Sequence, residues 1–228
     1  MPVLELNAAD QTVRVDARCT CAELYGALPA GLLPPVPPLE LPGGVGGLIT
    51  RGGFGQTFFF PADVLGLTFH TWSGNRIQAG GRTVKNVQGY DLTRLFVGSF
   101  GVLGELEQVT LRLRPGHWLG WAGPGHGELG LPQNLRHLPP QARFAWLDRT
   151  APAERQLRVL FSGPPPAPFS AFAEPVLQLE DWRPRFPAGM GTATGSDAAQ
   201  VQDVRFGWVN GEQKPAVPAL FRRLAAAL

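Results

Sequence analysis

Residues 80–115 constrain this chain more than any other stretch, because several kinds of backbone follow one another there with no room for a long loop. Asp91 stands where an N-cap carboxylate accepts backbone N–H bonds from a short helix carrying Leu92, Leu95 and Phe96. Gly98, Gly101 and Gly104 then interrupt that helix, with Ser99 and Val102 between them. Glycine spaced this closely permits positive φ and leaves no Cβ between the main chain and whatever lies against it, a ligand or another strand. Beyond the glycines, Val109, Leu111 and Leu113 alternate with Thr110, Arg112 and Arg114, the pattern of a half-buried strand, and Pro115 closes it. The segment reads as turn, one-turn helix, glycine loop, core strand.

The residues ahead of it lead towards a second glycine cluster. Thr12 to Val15 is a short strand by alternation and β-branching. Thr20 and Glu23 match a capping box, and Leu24, Ala27 and Leu28 follow on one helical face before Pro29 and Gly31 stop it. Five prolines between Pro34 and Pro42 make a stiff, extended connector. It delivers the chain to Gly43, Gly44, Gly46 and Gly47, with Gly52, Gly53 and Gly55 close behind. Such a run either forms a nest of N–H groups suited to an anion or the edge of a flat ring, or marks tight turning in a crowded fold. No Gly-Lys-Ser/Thr follows, so it is not a P-loop, and it is not a dinucleotide fingerprint opening a predicted helix. Phe58-Phe59-Phe60 is an aromatic run that calls for a cover. Leu67 to Trp72 alternates as a strand, and Ser73-Gly74-Asn75 turns it into a second through Ile77 and Ala79. His70 lies on that hairpin with no carboxylate or cysteine beside it in sequence, so it reads as structural, since a catalytic base needs an orienting partner.

The run Val84-Lys85-Asn86-Val87-Gln88-Gly89-Tyr90-Asp91-Leu92, taken with the glycines and strand after it, resembles the end of the flavin-binding domain of the vanillyl-alcohol-oxidase (PCMH) type. Within that type it looks most like the E subunits of bacterial glycolate oxidases. The resemblance covers about Leu4 to Pro115 by motif order. It implies an α+β fold: the second subdomain of a PCMH-type FAD-binding domain over 1–115, a linker over 116–142, and a small, reduced cap-like α+β region over 143–228. It also implies FAD as cofactor, bound by Gly43, Gly44, Gly46, Gly47, Lys85, Gly98, Ser99, Gly101, Val102 and Gly104. The partners it implies are a larger flavin subunit that oxidises glycolate and an iron–sulfur subunit that passes electrons on.

Three departures shape the expectation. The family's first subdomain, with the loop that grips the FAD pyrophosphate, precedes the part recognised here, and the chain begins with what looks like the second. Two phosphate charges need several charge-assisted bonds of about 1.5–3 kcal/mol each, which Gly43 to Gly47 and Lys85 do not supply in full. Where the family tends to place Tyr-Gly and then Arg-Asp, this chain has the phenylalanine run, Pro61 and Ala62 before Asp63. No residue presents itself as a catalytic acid or base; Arg183 and Arg185 read as carboxylate binders or as solvated surface arginines.

The second half reads as strands at Arg143 to Leu147, Gln156 to Phe161 and Val176 to Leu179, a short helix near Phe169, and a strand over Asp203 to Val209 turned by Asn210-Gly211. Leu220, Phe221, Leu224 and Leu228 stripe a C-terminal helix. The tryptophans look exposed. A net charge of +2 over 228 residues, with scattered cations, gives no argument for nucleic acid or an anionic membrane, and neither is expected as a partner. No apolar run approaches the ~20 residues of a membrane span, and the N-terminus lacks a signal-peptide pattern, so a cytoplasmic location is expected. Cys19 and Cys21 are too close for a relaxed disulfide and lack metal-ligating neighbours, which leaves reduced packing thiols. Two readings stand: a subunit that binds or shares FAD and is inactive alone, and a cofactor-free interaction subunit keeping a degenerate flavin-domain scaffold.

Overall fold

A computed structural model describes residues 2–81, 92–124, 138–151, 154–187, 189–190, 201–203, 207–209 and 216–228. The chain is mostly strand, with short helices, in two compact units. The first takes residues 1–53, 59–115 and 216–228; the second takes 54–58 and 116–215.

The first unit is built on five antiparallel strands: β1 (Val3–Asn7), β2 (Thr12–Asp16), β5 (Val64–His70), β6 (Arg76–Gly80) and β7 (Glu105–Arg112). Their order is β1-β2-β7-β5-β6. Two-residue strands β3 (Leu32–Leu33), β4 (Leu39–Glu40) and β8 (Arg114–Pro115) flank them, β3 pairing with β8. Period-two alternation sorts the sheet. Val13, Val15, Leu67, Phe69, Val109 and Leu111 share one face and are buried, while Arg14, Thr68, Gln78, Gln108 and Thr110 line the other. Helices α1 (Cys21–Ala27), α2 (Gly44–Arg51) and α3 (Leu92–Phe96) belong to this unit, α2 packing on β7 and α3 on β5 and β6. Phe96 meets Phe69 with ring centroids 4.7 Å apart.

Helix α1 starts where the capping box places it. The Thr20 hydroxyl accepts from the Glu23 amide and the Glu23 carboxylate accepts from the Thr20 amide. The buried Glu40 carboxylate adds a cap that sequence spacing does not show, accepting from the Ala22 amide at 2.9 Å. Cys19 and Cys21 are buried free thiols, and burial pushes both upward, Cys19 to about 12, so neither is a nucleophile.

Helix α2 decides between the two readings of the first glycine cluster in favour of tight turning in a crowded fold: Gly43 is a left-handed N-cap and the helix runs from Gly44. It sits almost directly on the backbone of the α1 approach. A Cβ on Gly46 would strike the Ala17 carbonyl, and one on Gly44 would lie 2.6 Å from the Cys19 carbonyl. Those carbonyls accept from the amides of Gly46 and Val45, each at 2.9 Å. Val45, Leu48 and Ile49 are fully buried beyond that contact, each worth about 1.5–3 kcal/mol against exposure.

A bulge in β7 explains a polar cluster. Thr68 pairs with Gln108 and Phe69 with Leu106, which leaves Glu107 extra and turned to the polar face. There it takes two hydrogen bonds from Arg76, at 2.7 and 3.0 Å, and contacts His70 Nε2 at 3.1 Å. His70 therefore has a carboxylate partner after all, supplied by a strand distant in sequence and shared with an arginine. The Arg76 hydrogen bonds hold the Glu107 carboxyl below the usual carboxylate range.

The second unit is a six-stranded antiparallel sheet in the order β12-β9-β11-β10-β14-β15: β9 (Leu119–Pro124), β10 (Ala142–Ala151), β11 (Glu154–Phe161), β12 (Glu174–Pro175), β14 (Val201–Asp203) and β15 (Gly207–Val209). Strand β13 (Glu180–Asp181) lies between β12 and β14 in sequence. The expected strand at Val176 to Leu179 is absent; Glu174–Pro175 pairs instead. Asp203 to Val209 is not one strand, since Asp203 and Gly207 face each other across an antiparallel pair. Leu119 to Pro124, inside the expected linker, pairs with β11.

Both faces of β10 are buried. Ala145 and Leu147 pack with Leu157, Val159 and Phe161. On the opposite face an aromatic layer of Phe54, Trp146, Trp182 and Phe186 encloses the fully buried Asp148. Arg185 donates to Asp148 at 2.6 Å and lies 4.3 Å over the Trp182 ring, so Arg185 is not a solvated surface arginine. Arg183 pairs with Asp181 through both guanidinium and amide.

The aromatic run is divided, not exposed as a patch. Phe58 packs on Phe144 in the second unit under Arg143, and Phe60 is buried in the first; Phe59 alone stands out at 61% exposed. Trp118, Trp146 and Trp182 are buried, contrary to expectation, and Trp72 is exposed. Helix α4 (Ala219–Ala227) closes the chain, its end held where Ser73 and Asn75 donate to the Leu228 carbonyl.

Two outcomes follow from this geometry. Gly46→Ala is expected to lower stability by about 1–3 kcal/mol with no ligand present, because its methyl overlaps the Ala17 carbonyl; thermal and urea melts measure it, and an unchanged melt would remove the packing explanation. Glu107, being depressed, stabilises the fold at pH values above the ordinary glutamate range near ~4.3, and that contribution disappears as pH falls through its lower folded value. NMR titration should place its midpoint below ~4.3 in the native chain and return it towards that range in Arg76→Ala.

Candidate functional site

The two glycine segments lie side by side in the first unit. The end of α2 and the turn after α3 are joined by backbone bonds: the Gly98 amide donates to Ile49 at 3.1 Å and the Phe100 amide to Thr50 at 2.8 Å. The chain folds this way because three consecutive demands meet there. Gly98 and Gly101 take positive φ, 82° and 75°, and Phe100 is forced to 53°, a conformation that costs about 1–3 kcal/mol for a bulky residue. Gly104 ends the turn against β5, where any Cβ would strike the His70 carbonyl. Its absence of a side chain is explained by strand packing.

The segments differ in what they offer a ligand. On the α2 side the amides of Gly44, Val45, Gly46 and Gly47 already donate to the carbonyls of Leu41, Cys19, Ala17 and Gly43. The nest of free N–H groups that the glycine spacing allows is therefore not formed, and a diphosphate finds none of those four donors open. On the turn side Gly101 has nothing within 4 Å of where a Cβ would stand, and its amide has no acceptor among the described residues. The Ser99 hydroxyl is buried with no hydrogen-bond partner among them, an arrangement that costs about 1–3 kcal/mol. The Val102 amide is turned inward to Ser99 at 3.1 Å. Bare backbone and an open amide at Gly101 suit the edge of a flat ring with acceptor atoms; they do not suit a doubly charged phosphate. Lys85 and the Asp91 cap lie outside the described residues.

Trp72 is the feature that sequence reasoning passed over. Its indole N–H lies 3.2 Å from the Gly101 carbonyl and 3.1 Å from that of Val102. Spacing could not have found it, because the contact joins the β5–β6 hairpin turn to a turn 29 residues on. A cleft of about 190 Å³ opens elsewhere, on the polar sheet face between Arg14, Thr68, Gln78 and Gln108, and none of the glycines in the expected flavin set lines it. Among the described residues no cluster of metal-ligating side chains exists. No helix among them is long and apolar enough to cross a membrane.

No protein-family model matches the chain. Glycolate oxidase subunit GlcE of Escherichia coli is 46% identical over 52 residues, 23% of this chain and 15% of that protein. Glycolate oxidase subunit GlcD of Bacillus subtilis is 35% identical over 119 residues, half of this chain and 25% of that protein. An uncharacterized FAD-linked oxidoreductase of Mycobacterium tuberculosis is 36% identical over 118 residues, half of this chain and 26% of that protein. The chain thus spans about a quarter or less of the length of these relatives. Among solved structures, wild-type Phl p 4.0202, a glucose dehydrogenase, aligns with a TM-score of 0.51 at 18% identity over 71% of this chain and 34% of that one, which is a likeness of fold. The resemblance read from the motifs holds: part of this chain is similar in sequence to parts of glycolate oxidase subunits and of an FAD-linked oxidoreductase.

Proposed function

We propose that the chain is a subunit of a flavin-dependent 2-hydroxy-acid oxidase complex, with glycolate as substrate, and that it contributes one side of an FAD site without turning substrate over alone. The observation that carries this is the turn from Gly98 to Gly104, braced on the end of α2, with the Gly101 edge bare and its amide open. In this reading Gly98, Ser99, Gly101, Val102 and Gly104 form the wall against the flavin ring. Gly43, Gly44, Gly46 and Gly47 let α2 pack closely enough to support that wall, and Lys85 adds a cation towards the cofactor. FAD supplies the electron acceptance; the chain's own residues bind and orient it. Residues 1–115 correspond to the second subdomain of a PCMH-type domain and 143–228 to a reduced cap.

The engaged amides at the start of α2 are the reason for a shared cofactor. Several charge-assisted bonds to the diphosphate must come from elsewhere, and a larger flavin subunit is the natural source, with an iron–sulfur subunit taking the electrons. The assembly is cytoplasmic. The same engaged amides favour the second reading, a cofactor-free interaction subunit on a flavin-domain scaffold.

Purification of the chain alone, and after co-expression with the larger flavin subunit of its own organism, separates the two. Expected are FAD in the co-purified complex beyond that held by the larger subunit by itself, and glycolate turnover only with partners present. A colourless chain that takes up no added FAD and leaves the partner's FAD content unchanged sinks the flavin reading in favour of the scaffold. Glycolate oxidation by the single chain overturns the dependent role.

A further inference from the structure

Trp72 stands 70% exposed at the tip of the β5–β6 hairpin, on a turn whose other members, Ser73, Gly74 and Asn75, are polar or bare. A lone exposed aromatic is ordinarily without consequence. This one differs in how it is held. Its N–H edge points at two successive carbonyls, those of Gly101 and Val102, in the very turn assigned to the flavin wall. The edge is fixed and most of the ring remains in solvent.

We propose that Trp72 is a stacking platform for a planar heteroaromatic ring, the isoalloxazine or the adenine of a flavin dinucleotide bound along the Gly98–Gly104 turn. The assignment rests on the flavin reading above and adds to it a residue outside the glycine motifs. Three features support a flat ring over a protein surface. Tryptophan has only two side-chain torsions, and the paired carbonyls restrain them, so little further order is lost when a ring stacks. The neighbouring Gly101 presents no side chain to obstruct a flat ligand, and its open amide can satisfy an acceptor on that ligand's edge. The hairpin residues that follow Trp72, Ser73, Gly74 and Asn75, are polar or bare and add no apolar surface of their own to the ring.

The test uses whichever preparation takes up FAD, the chain alone or the complex, stripped of flavin and titrated calorimetrically with FAD, FMN and ADP. Three forms are compared: wild type, Trp72→Phe, which keeps an aromatic face but loses the N–H, and Trp72→Leu, which loses both. Removal of the ring in Trp72→Leu is expected to weaken FAD binding roughly 5- to 150-fold, the span of single ring-stacking contacts, with Trp72→Phe much closer to wild type. If FMN shares the loss the ring is isoalloxazine; if ADP shares it, adenine. Circular dichroism and melting of each variant check that the exposed substitution leaves the fold intact. Equal losses in Trp72→Phe and Trp72→Leu would mean that the N–H clasp alone matters, which overturns stacking. Undiminished FAD binding in Trp72→Leu overturns the platform and leaves the flavin reading standing. A wild type that binds none of the three ligands removes the flavin reading and the platform with it.

Discussion

Close contact between two backbones, the start of α2 lying on the carbonyls of Ala17 and Cys19, is the constraint from which the first unit follows. Only a residue without a Cβ can occupy position 46, and the hydrogen bonds that replace the missing side chain contact are made by the helix's own first amides. This seats Val45, Leu48 and Ile49 in the core and brings the helix's last carbonyls, Ile49 and Thr50, to where the turn after α3 can donate to them. The turn is thereby held in a conformation that Phe100 would not adopt by itself. Packing at one end of α2 thus determines backbone shape at the other.

The same contact has a consequence for chemistry. Helix N-termini offer anions unsatisfied amides, and glycine-rich ones allow close approach. Here those amides are engaged within the chain, so the glycines act in packing and the negative charge of a diphosphate finds no ready site among them. What is left open lies at the turn, in Gly101, with Trp72 clasped beside it. A surface with a bare edge and a fixed aromatic ring favours shape and stacking over charge.

The second unit solves a different problem, that of burying carboxylates. Asp148 lies inside an aromatic layer and is tolerated because Arg185 reaches it while its guanidinium is itself packed on Trp182. A second cation, Arg158, lies 3.4 Å from the same carboxylate, so two arginines offset the charge that the aromatic layer buries. Among the ion pairs of the described residues, Asp63 with Arg114 in the first unit follows the same pattern, a buried acid met by a half-exposed arginine at 2.6 Å.

Local signals were sufficient wherever the physics is local. The capping box of α1, the β5–β6 hairpin, the short helix carrying Leu92, Leu95 and Phe96, and the alternation of β7 all appear as their residues imply, because caps, turns and pleats are decided within a few positions. The sequence by itself also determined the kinship, through the order and spacing of its motifs. What only the tertiary structure decided was the use of each group once distant segments met. It made Gly43 to Gly47 a helix start engaged with Ala17 and Cys19, gave His70 and Arg76 a common carboxylate through a bulge at Glu107, divided Phe58, Phe59 and Phe60 among three environments, and set Trp72 against Gly101. Glycine, aromatic and carboxylate residues carry the same letter whether they pack or bind. Their role depends on which donors, acceptors and surfaces other segments bring to them, and spacing along the chain holds no record of that.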